Sequence, residues 1–189
     1  MGASSRFRWY GWIAGLSVLC VLLLALAGAW WSQGRDGLPE VAMQDGTGAT
    51  FSWRQLEGRW SLVYFGYRGC PSACPTGLAA LAREVRALGL RGKDLQVVMV
   101  TVDPDQDTPK LIGDYVRYFH PDFRAVRIGD ARELDLVCRA FGATWAKPAT
   151  LGGEIEHSLD VHLVDPRGRI RGRLSPPFVP GELRQALHW

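Results

Sequence analysis

Short apolar runs alternate with helix-like segments through most of the chain, and this alternation restricts the fold more than any other feature. Three runs rich in β-branched and aromatic residues predict buried strands: 61–66, 95–102 and 125–128. Segments with apolar residues at helical spacing follow these runs: 75–88, 109–119 and 131–141. Strands that alternate with helices favour a parallel sheet with helices on both faces. The sequence therefore predicts an α/β domain of three layers.

The end of the chain carries a different pattern. Residues 161–164 and 169–174 flank the turn 165–168, which predicts an antiparallel hairpin, and a short helix is expected over 180–187. A parallel start with an antiparallel hairpin at the end is the thioredoxin order of elements. We therefore expect a thioredoxin-like domain with a central mixed sheet over residues 51–189.

A long uncharged segment precedes this domain. Residues 9–34 carry no charge, and about 20 apolar residues span the hydrocarbon core of a bilayer, so we expect a transmembrane anchor over 9–31. Tryptophans flank both of its ends, as they do at membrane interfaces. A cleaved signal peptide is the alternative, because residues 25–29 include the small residues of a cleavage site. Residues 32–50 are polar and glycine-rich, which predicts a tether or an irregular hairpin.

The charges at the N-terminus orient this anchor. Arg6 and Arg8 precede it, so by the positive-inside rule residues 1–8 stay in the cytoplasm and the domain is exported. We see no amphipathic Arg- and Ser-rich transit peptide before the anchor, which favours a bacterial inner membrane, a single pass and a periplasmic domain. The net charge of the chain is +3, and Arg6 and Arg8 account for two of these three net positive charges. The near-neutral remainder argues against a nucleic-acid partner, and we expect a monomer.

Two of the four cysteines stand at a position suited to metal binding or disulfide exchange. Cys70 and Cys74 lie between a predicted strand and a predicted helix, and a thiol near a helix N-terminus is favoured as thiolate. Both metal binding and disulfide exchange require the thiolate. The pair is therefore a candidate metal site or redox-active pair, with an inert disulfide as the alternative. Cys138 is expected on the core face of a helix and Cys20 in the anchor, so neither adds a ligand.

His157 is the histidine best placed to join the cysteines. It precedes the predicted hairpin, and in a thioredoxin-like fold that loop lies at the cysteine end of the sheet. A structural histidine is the alternative, and the pattern leaves both interpretations open. Two thiolates and one imidazole suit copper, above all Cu(I), with Cu(II) left open as a second state. His120 is expected to cap a helix or lie on the surface, and His188 to be solvated.

Three segments together resemble the Sco/SenC family. They are the cysteine motif at 65–75, the acidic run at 101–109, and Glu156-His157-Ser158 followed by the turn at 163–168. The resemblance covers about residues 40–187. It implies a membrane-anchored, thioredoxin-fold copper chaperone that helps to mature the binuclear copper centre of cytochrome c oxidase. Its partner would be the copper-receiving subunit of that enzyme or another copper chaperone.

The resemblance also implies roles for individual residues. Cys70 and Cys74 would be the thiolate ligands and the redox pair, and His157 the third copper ligand. Asp103 would lie close to the site and tune it or support docking, with a plain turn residue as the alternative. Glu156 would keep the negative charge that the family places next to the histidine.

Several positions depart from the family pattern. Asp160 and His162 stand where the family has apolar or aromatic residues. We expect His162 to be a core residue with its hydrogen bonds satisfied, with an additional polar contact as the alternative. The sequence offers no physical account of Asp160.

A periplasmic thiol–disulfide reductase is the alternative function, keeping the copper-ligand cysteines of a target protein reduced. It needs Cys70 and Cys74 to cycle but does not need His157. Disulfide exchangers of this fold carry a cis-proline before the hairpin, whereas Ser158-Leu159 fills that slot here, which disfavours an ordinary exchanger. Whether the protein has enzymatic activity besides metal binding stays open at this point.

Overall fold

The computed structural model describes Cys20 and residues 37–89, 94–148, 150, 153–179 and 181–187. The predicted anchor and the predicted cytoplasmic segment fall outside these residues, Cys20 apart. No helix among the described residues is both long and apolar enough to cross a membrane. The chain divides into two units, and the second, Gly37–Trp189, contains the predicted domain.

The described part of this unit contains strands β1 to β9 and helices α1 to α4. The strands are β1 Met43–Asp45, β2 Thr50–Phe51, β3 Trp60–Gly66, β4 Leu95–Thr101, β5 Arg124–Ile128, β6 Trp145–Ala146, β7 Glu156–His157, β8 Val161–Val164 and β9 Ile170–Leu174. The helices are α1 Ala73–Ala87, α2 Pro109–Phe119, α3 Ala131–Phe141 and α4 Glu182–Ala186, and a 3-10 turn covers Trp53–Leu56.

Seven strands form one mixed sheet in the order β2-β1-β5-β4-β3-β8-β9. The central strands β3, β4 and β5 are parallel, whereas β8 is antiparallel to both β3 and β9. The expected parallel start and antiparallel end are therefore confirmed. Every residue of β4 is buried, as expected for a strand covered on both faces.

Helices cover both faces of this sheet. Tyr64 packs against α1, where its hydroxyl would lie 3.3 Å from a Cβ at Gly77. The ring of the next residue, Phe65, lies 5.3 Å from the ring of Phe141 in α3. Because adjacent residues of a strand point to opposite faces, α1 and α3 lie on opposite sides of the sheet. The predicted three layers are thus confirmed.

Part of the segment expected to be a tether or an irregular hairpin belongs to the sheet. Met43–Asp45 pairs with Thr50–Phe51 on one side and with β5 on the other. The turn between β1 and β2 is closed by Asp45, whose Oδ1 accepts hydrogen bonds from the backbone N–H groups of Thr47 and Ala49. The hairpin, one of the two expectations for this segment, is therefore present. Its place in the sheet was not predicted, because a strand of three residues with one apolar member is too short to show a period of two.

The helix that follows the cysteine motif begins earlier than expected, at Ala73 instead of Pro75. Proline is tolerated in the first turn of a helix because the N–H groups there have no partner within the helix. Cys74 therefore lies inside the first turn of α1, with its backbone N–H free to contact groups in the preceding loop.

Candidate metal centre

Three potential metal ligands converge at the end of β3. Cys70 lies in the loop between β3 and α1, Cys74 in the first turn of α1, and His157 on β7. Their sulfur and imidazole nitrogen atoms all lie within 4.8 Å of one another. Cys74 is fully buried, Cys70 is 8% exposed, and His157 is half-buried. The structure thus brings together the three residues that the sequence proposed as ligands.

The start of α1 supplies a hydrogen bond to the outer thiol. The backbone N–H of Cys74 donates to Sγ of Cys70 at 3.3 Å, and both cysteines are free thiols. Burial, assisted by the neighbouring Cys70 sulfur, raises the pKa of Cys74 to about 12. The expectation that the helix N-terminus favours the thiolate is therefore wrong for Cys74 in the metal-free protein, because burial outweighs the helix dipole. The thiol stays protonated until a cation offsets the cost of the buried negative charge. This pair is therefore suited to binding a metal with release of a proton.

His157 presents a neutral nitrogen to the cysteines. Its Nδ1–H donates to the backbone carbonyl of Ser158 at 3.0 Å, and its Nε2 lies 3.3 Å from Sγ of Cys74. Burial lowers the pKa of His157 below its usual value, which favours the neutral ring near pH 7. A carbonyl that holds one ring nitrogen protonated directs the lone pair of the other nitrogen toward a metal.

A small ribbon outside the main sheet carries His157. Trp145 of β6 pairs with His157 of β7, and the N–H of Ser158 donates to the carbonyl of Thr144. His157 precedes the hairpin, as expected, and the hairpin's first strand β8 begins at Val161. The ribbon was missed because two-residue strands leave no periodic pattern.

Two aromatic rings flank the imidazole. The ring centroids of Tyr64 and Tyr67 lie 6.5 Å and 5.6 Å from that of His157, both in edge-on contact. Gly66 lies between the two tyrosines in sequence, and a Cβ there would lie 2.9 Å from Cε1 of Tyr64 and 3.0 Å from Sγ of Cys74. Only glycine at this position allows the sulfur and the Tyr64 ring to pack as they do.

Asp107 holds the cysteine loop and was missed by the sequence reasoning. Its carboxylate is buried and accepts hydrogen bonds from the hydroxyl of Thr101 at 2.7 Å and the backbone N–H of Arg68 at 3.1 Å. The Arg68 guanidinium lies 3.5 Å from the same carboxylate. Asp107 stands in the acidic run 101–109 that carries the family resemblance, so the sequence contained a signal for it. From that run, however, only Asp103 was predicted to lie near the site.

The other two predicted site residues occupy different settings. Asp103 is half-buried, and its carbonyl accepts the N–H groups of Gln106 and Asp107, which makes it part of a turn before α2. Burial and the nearby Asp107 carboxylate raise the pKa of Asp103. Glu156 is exposed on β7 opposite Ala146. Their influence on the ligands stays a prediction.

Cys138 and His120 lie away from the three ligands and have structural roles. Cys138 is 1% exposed on the inner face of α3, as expected, and burial raises its pKa to about 12. His120 caps the end of α2, where it stacks on Phe123 and its Nδ1 accepts the N–H of Asp122. Capping was one of the two expectations for His120. His188 lies outside the described residues.

Asp160 and His162, two of the departures from the family pattern, make different kinds of contact: His162 lies among aromatic rings and Asp160 among polar side chains. His162 is buried with its ring edge-on to Phe65 and Phe141, and its Nε2 has no hydrogen-bond partner among the described residues. The expectation that all its hydrogen bonds are satisfied is therefore wrong, because aromatic rings surround it. Asp160 accepts the hydroxyl of Ser175 at 2.7 Å and lies 3.5 Å from the Arg173 guanidinium, so it fastens the start of β8 to β9.

Comparison with known proteins identifies the family of this chain. The SCO1/SenC family model matches residues 38–189, which include all three ligand-bearing segments. The chain belongs to the SCO1/SenC family. The resemblance in the three sequence motifs is confirmed.

Individual SCO1/SenC relatives show the same relationship. A SCO2-like protein of Rickettsia felis is 31% identical over 76% of this chain and 71% of its own length. Protein SenC of Rhodobacter capsulatus is 33% identical over 64% of this chain and 55% of its own length. The solved structure of Bradyrhizobium japonicum ScoI with copper bound superposes with a TM-score of 0.69 at 27% identity, covering 78% of this chain and 95% of that one. The thioredoxin-like fold is therefore shared with a SCO1/SenC member that binds copper.

Proposed function

We propose that this SCO1/SenC protein binds one copper ion through Cys70, Cys74 and His157 and hands it to another protein. The observation that carries the proposal is the convergence of two thiol sulfurs and a neutral imidazole nitrogen within 4.8 Å. Soft sulfur donors and a low number of ligands suit Cu(I). In the described part of the chain, this is the one group of three or more His, Cys, Asp or Glu side chains placed to hold a metal. Structural zinc, by contrast, usually takes four such ligands.

The acceptor is proposed to be the copper-receiving subunit of cytochrome c oxidase or another copper chaperone. Membership of the SCO1/SenC family supports this role. The uncharged segment at 9–34 supports an anchored protein with its domain in the periplasm of a bacterial inner membrane. In this role copper is cargo, so the site must release the ion as well as bind it.

The arrangement of the ligands supports a site that can release its cargo. Cys70 and Cys74 are fixed by the start of α1, whereas His157 is held on a ribbon of two residues per strand. His157 is also less buried than either cysteine. Loss of the imidazole would leave copper on two buried thiolates and open the more exposed side of the site, where an acceptor can supply new ligands.

The first test compares the full-length protein with its His157→Ala variant, using His188→Ala as a matched control. Copper per chain is measured by metal analysis, and Cu(I) affinity by competition with a chromophoric chelator. We expect one copper per reduced chain, and an affinity at least about tenfold weaker in His157→Ala, which corresponds to 1.4 kcal/mol. His188→Ala should bind like the wild type. Equal affinity in His157→Ala and the wild type would reject the proposed ligand set.

A thiol–disulfide reductase is the second candidate, favoured by the free thiol pair at the start of α1 and by the hydrogen bond from the Cys74 N–H to Cys70 Sγ. It would reduce a target disulfide while Cys70 and Cys74 form one. The same variants separate the two functions. The reductase would be favoured if copper binding is equally weak in the wild type and in His157→Ala, and if both of these proteins reduce a peptide disulfide.

A further inference from the structure

Tyr67 connects the two chain segments that carry the proposed ligands. It follows β3 directly, is 5% exposed, and its carbonyl accepts the N–H of Cys70 at 3.4 Å. Its ring lies edge-on to His157 at 5.6 Å. Its hydroxyl accepts the backbone N–H of Ile155 at 3.2 Å. One side chain thus contacts both the cysteine loop and the ribbon that carries the imidazole.

We propose that the Tyr67 hydroxyl is a positioning group that holds the His157 ribbon against the cysteine loop and thereby slows the release of bound metal. Few backbone hydrogen bonds hold β7. Among the described residues, Glu156 and His157 pair only with β6, so the ribbon relies on contacts outside its own strands. Ile155, whose N–H the hydroxyl accepts, stands two residues before His157, close enough to set where the imidazole lies.

The positioning role belongs to the hydroxyl of Tyr67 and not to its ring. A phenylalanine at position 67 would keep the edge-on contact with His157 and the buried apolar surface. It would leave the half-buried N–H of Ile155 without its acceptor. An unpaired buried N–H weakens the segment that carries it. Tyr67→Phe therefore separates positioning of the ribbon from simple packing.

A second contact holds the ribbon from its other strand. Lys147, which follows β6, lies 2.8 Å from the Asp105 carboxylate in the turn before α2. Both side chains are more than half exposed, and such surface ion pairs are weak and screened by salt. The buried Tyr67 hydroxyl is consequently expected to restrain His157 more than this ion pair does.

The proposal rests on the proposed function for its metal-release part, and the experiment tests the two parts separately. Full-length wild type, Tyr67→Phe and the control Tyr118→Phe are compared; Tyr118 is 85% exposed on α2. In metal-free protein, amide exchange is measured over residues 153–157. We expect exchange of the Ile155 amide to rise about fivefold in Tyr67→Phe, the effect of losing one hydrogen bond, and to stay unchanged in Tyr118→Phe.

The copper-loaded proteins provide the second measurement. Cu(I) transfer to an excess of chelator should be about fivefold faster in Tyr67→Phe, with one copper per chain retained. The Cu(II) form should show a shifted thiolate-to-copper absorption band, which packing elsewhere in the domain would not move. Unchanged amide exchange, or unchanged release with an unchanged band, would overturn the proposal. Absence of copper binding in the wild type would reject the proposed function, while the metal-free exchange would still test the Tyr67 contact.

Discussion

The Sγ atom of Cys74 lies 3.3 Å from Nε2 of His157, although 83 positions separate the two residues in the chain. One belongs to the first turn of α1 and the other to a ribbon outside the main sheet. Neither segment can form the three-ligand site alone. Variants that move either segment should therefore affect metal binding even when all three ligands are present.

Gly66 provides a direct test of this packing. In Gly66→Ala the new methyl group would lie about 3 Å from both Sγ of Cys74 and the ring of Tyr64. We expect a loss of about 1–3 kcal/mol in the free energy of unfolding, because added volume in a packed core forces its neighbours to move. We also expect Cu(I) affinity to fall at least about tenfold. Urea unfolding and chelator competition measure the two effects.

Gly172 on β9 is the matched control for this substitution. A Cβ at Gly172 meets no atom within 4 Å, so Gly172→Ala should bind copper and unfold much like the wild type. Equal behaviour of the two alanine variants would show that Cys74 and Tyr64 tolerate a side chain at position 66.

Asp107 should matter for stability although it is not a ligand. Asp107→Ala leaves the Thr101 hydroxyl and the Arg68 N–H without their shared acceptor, and we expect a loss of about 1–3 kcal/mol in urea unfolding. Asp107→Asn keeps one acceptor oxygen and should be intermediate. The control is Asp114→Ala, which removes exposed ion pairs with Lys110 and Arg117 and should leave the unfolding midpoint close to that of the wild type.

His162 should make the metal-free domain sensitive to acid. Burial lowers the pKa of His162 to about 4, with Asp160 opposing and Arg173 adding to that shift. The unfolded chain takes up a proton near pH 6.5 and the folded one only near pH 4, so stability is lost as the pH falls between these values. We expect this histidine to account for about 2 kcal/mol of the loss between pH 7.5 and pH 5.

The variant His162→Leu isolates this contribution. It replaces the imidazole with an apolar side chain of similar size next to Phe65 and Phe141. Urea unfolding at pH 7.5 and pH 5 should show a smaller loss in the variant, because all other titrating groups are common to both proteins. Equal losses in the two proteins would mean that His162 is protonated in the folded state at pH 5.

Oxidation of the cysteine pair should abolish copper binding. A disulfide between Cys70 and Cys74 removes both thiolates and leaves only the imidazole of His157. The test uses a Cys20→Ala, Cys138→Ala background, so that no other thiol reacts. The reduced background protein should bind one copper and its oxidised form none, as measured by metal analysis after gel filtration. Copper retained by the oxidised form would contradict the assigned ligands.

Local patterns predicted much of this structure because they depend on neighbouring residues. The Thr108-Pro109 pair indicated the start of α2, and the Thr108 side chain accepts the N–H of Leu111 there. Helix α3 spans the predicted residues 131–141, with Asp130 capping one end and Gly142 ending it in the left-handed conformation. The cysteine motif was placed at the start of a helix for the same reason, since a strand, a loop and a helix follow one another there.

The residue types of the site were thus decided by the sequence, and their arrangement by the tertiary structure. Two cysteines four positions apart at a helix start lie close together whatever the rest of the fold does. The approach of His157 to Cys74, and of Asp107 to the N–H of Arg68 39 positions earlier, depends instead on strand order and on the paths of loops. Those paths are set by burial summed over the whole sheet, which no local pattern encodes.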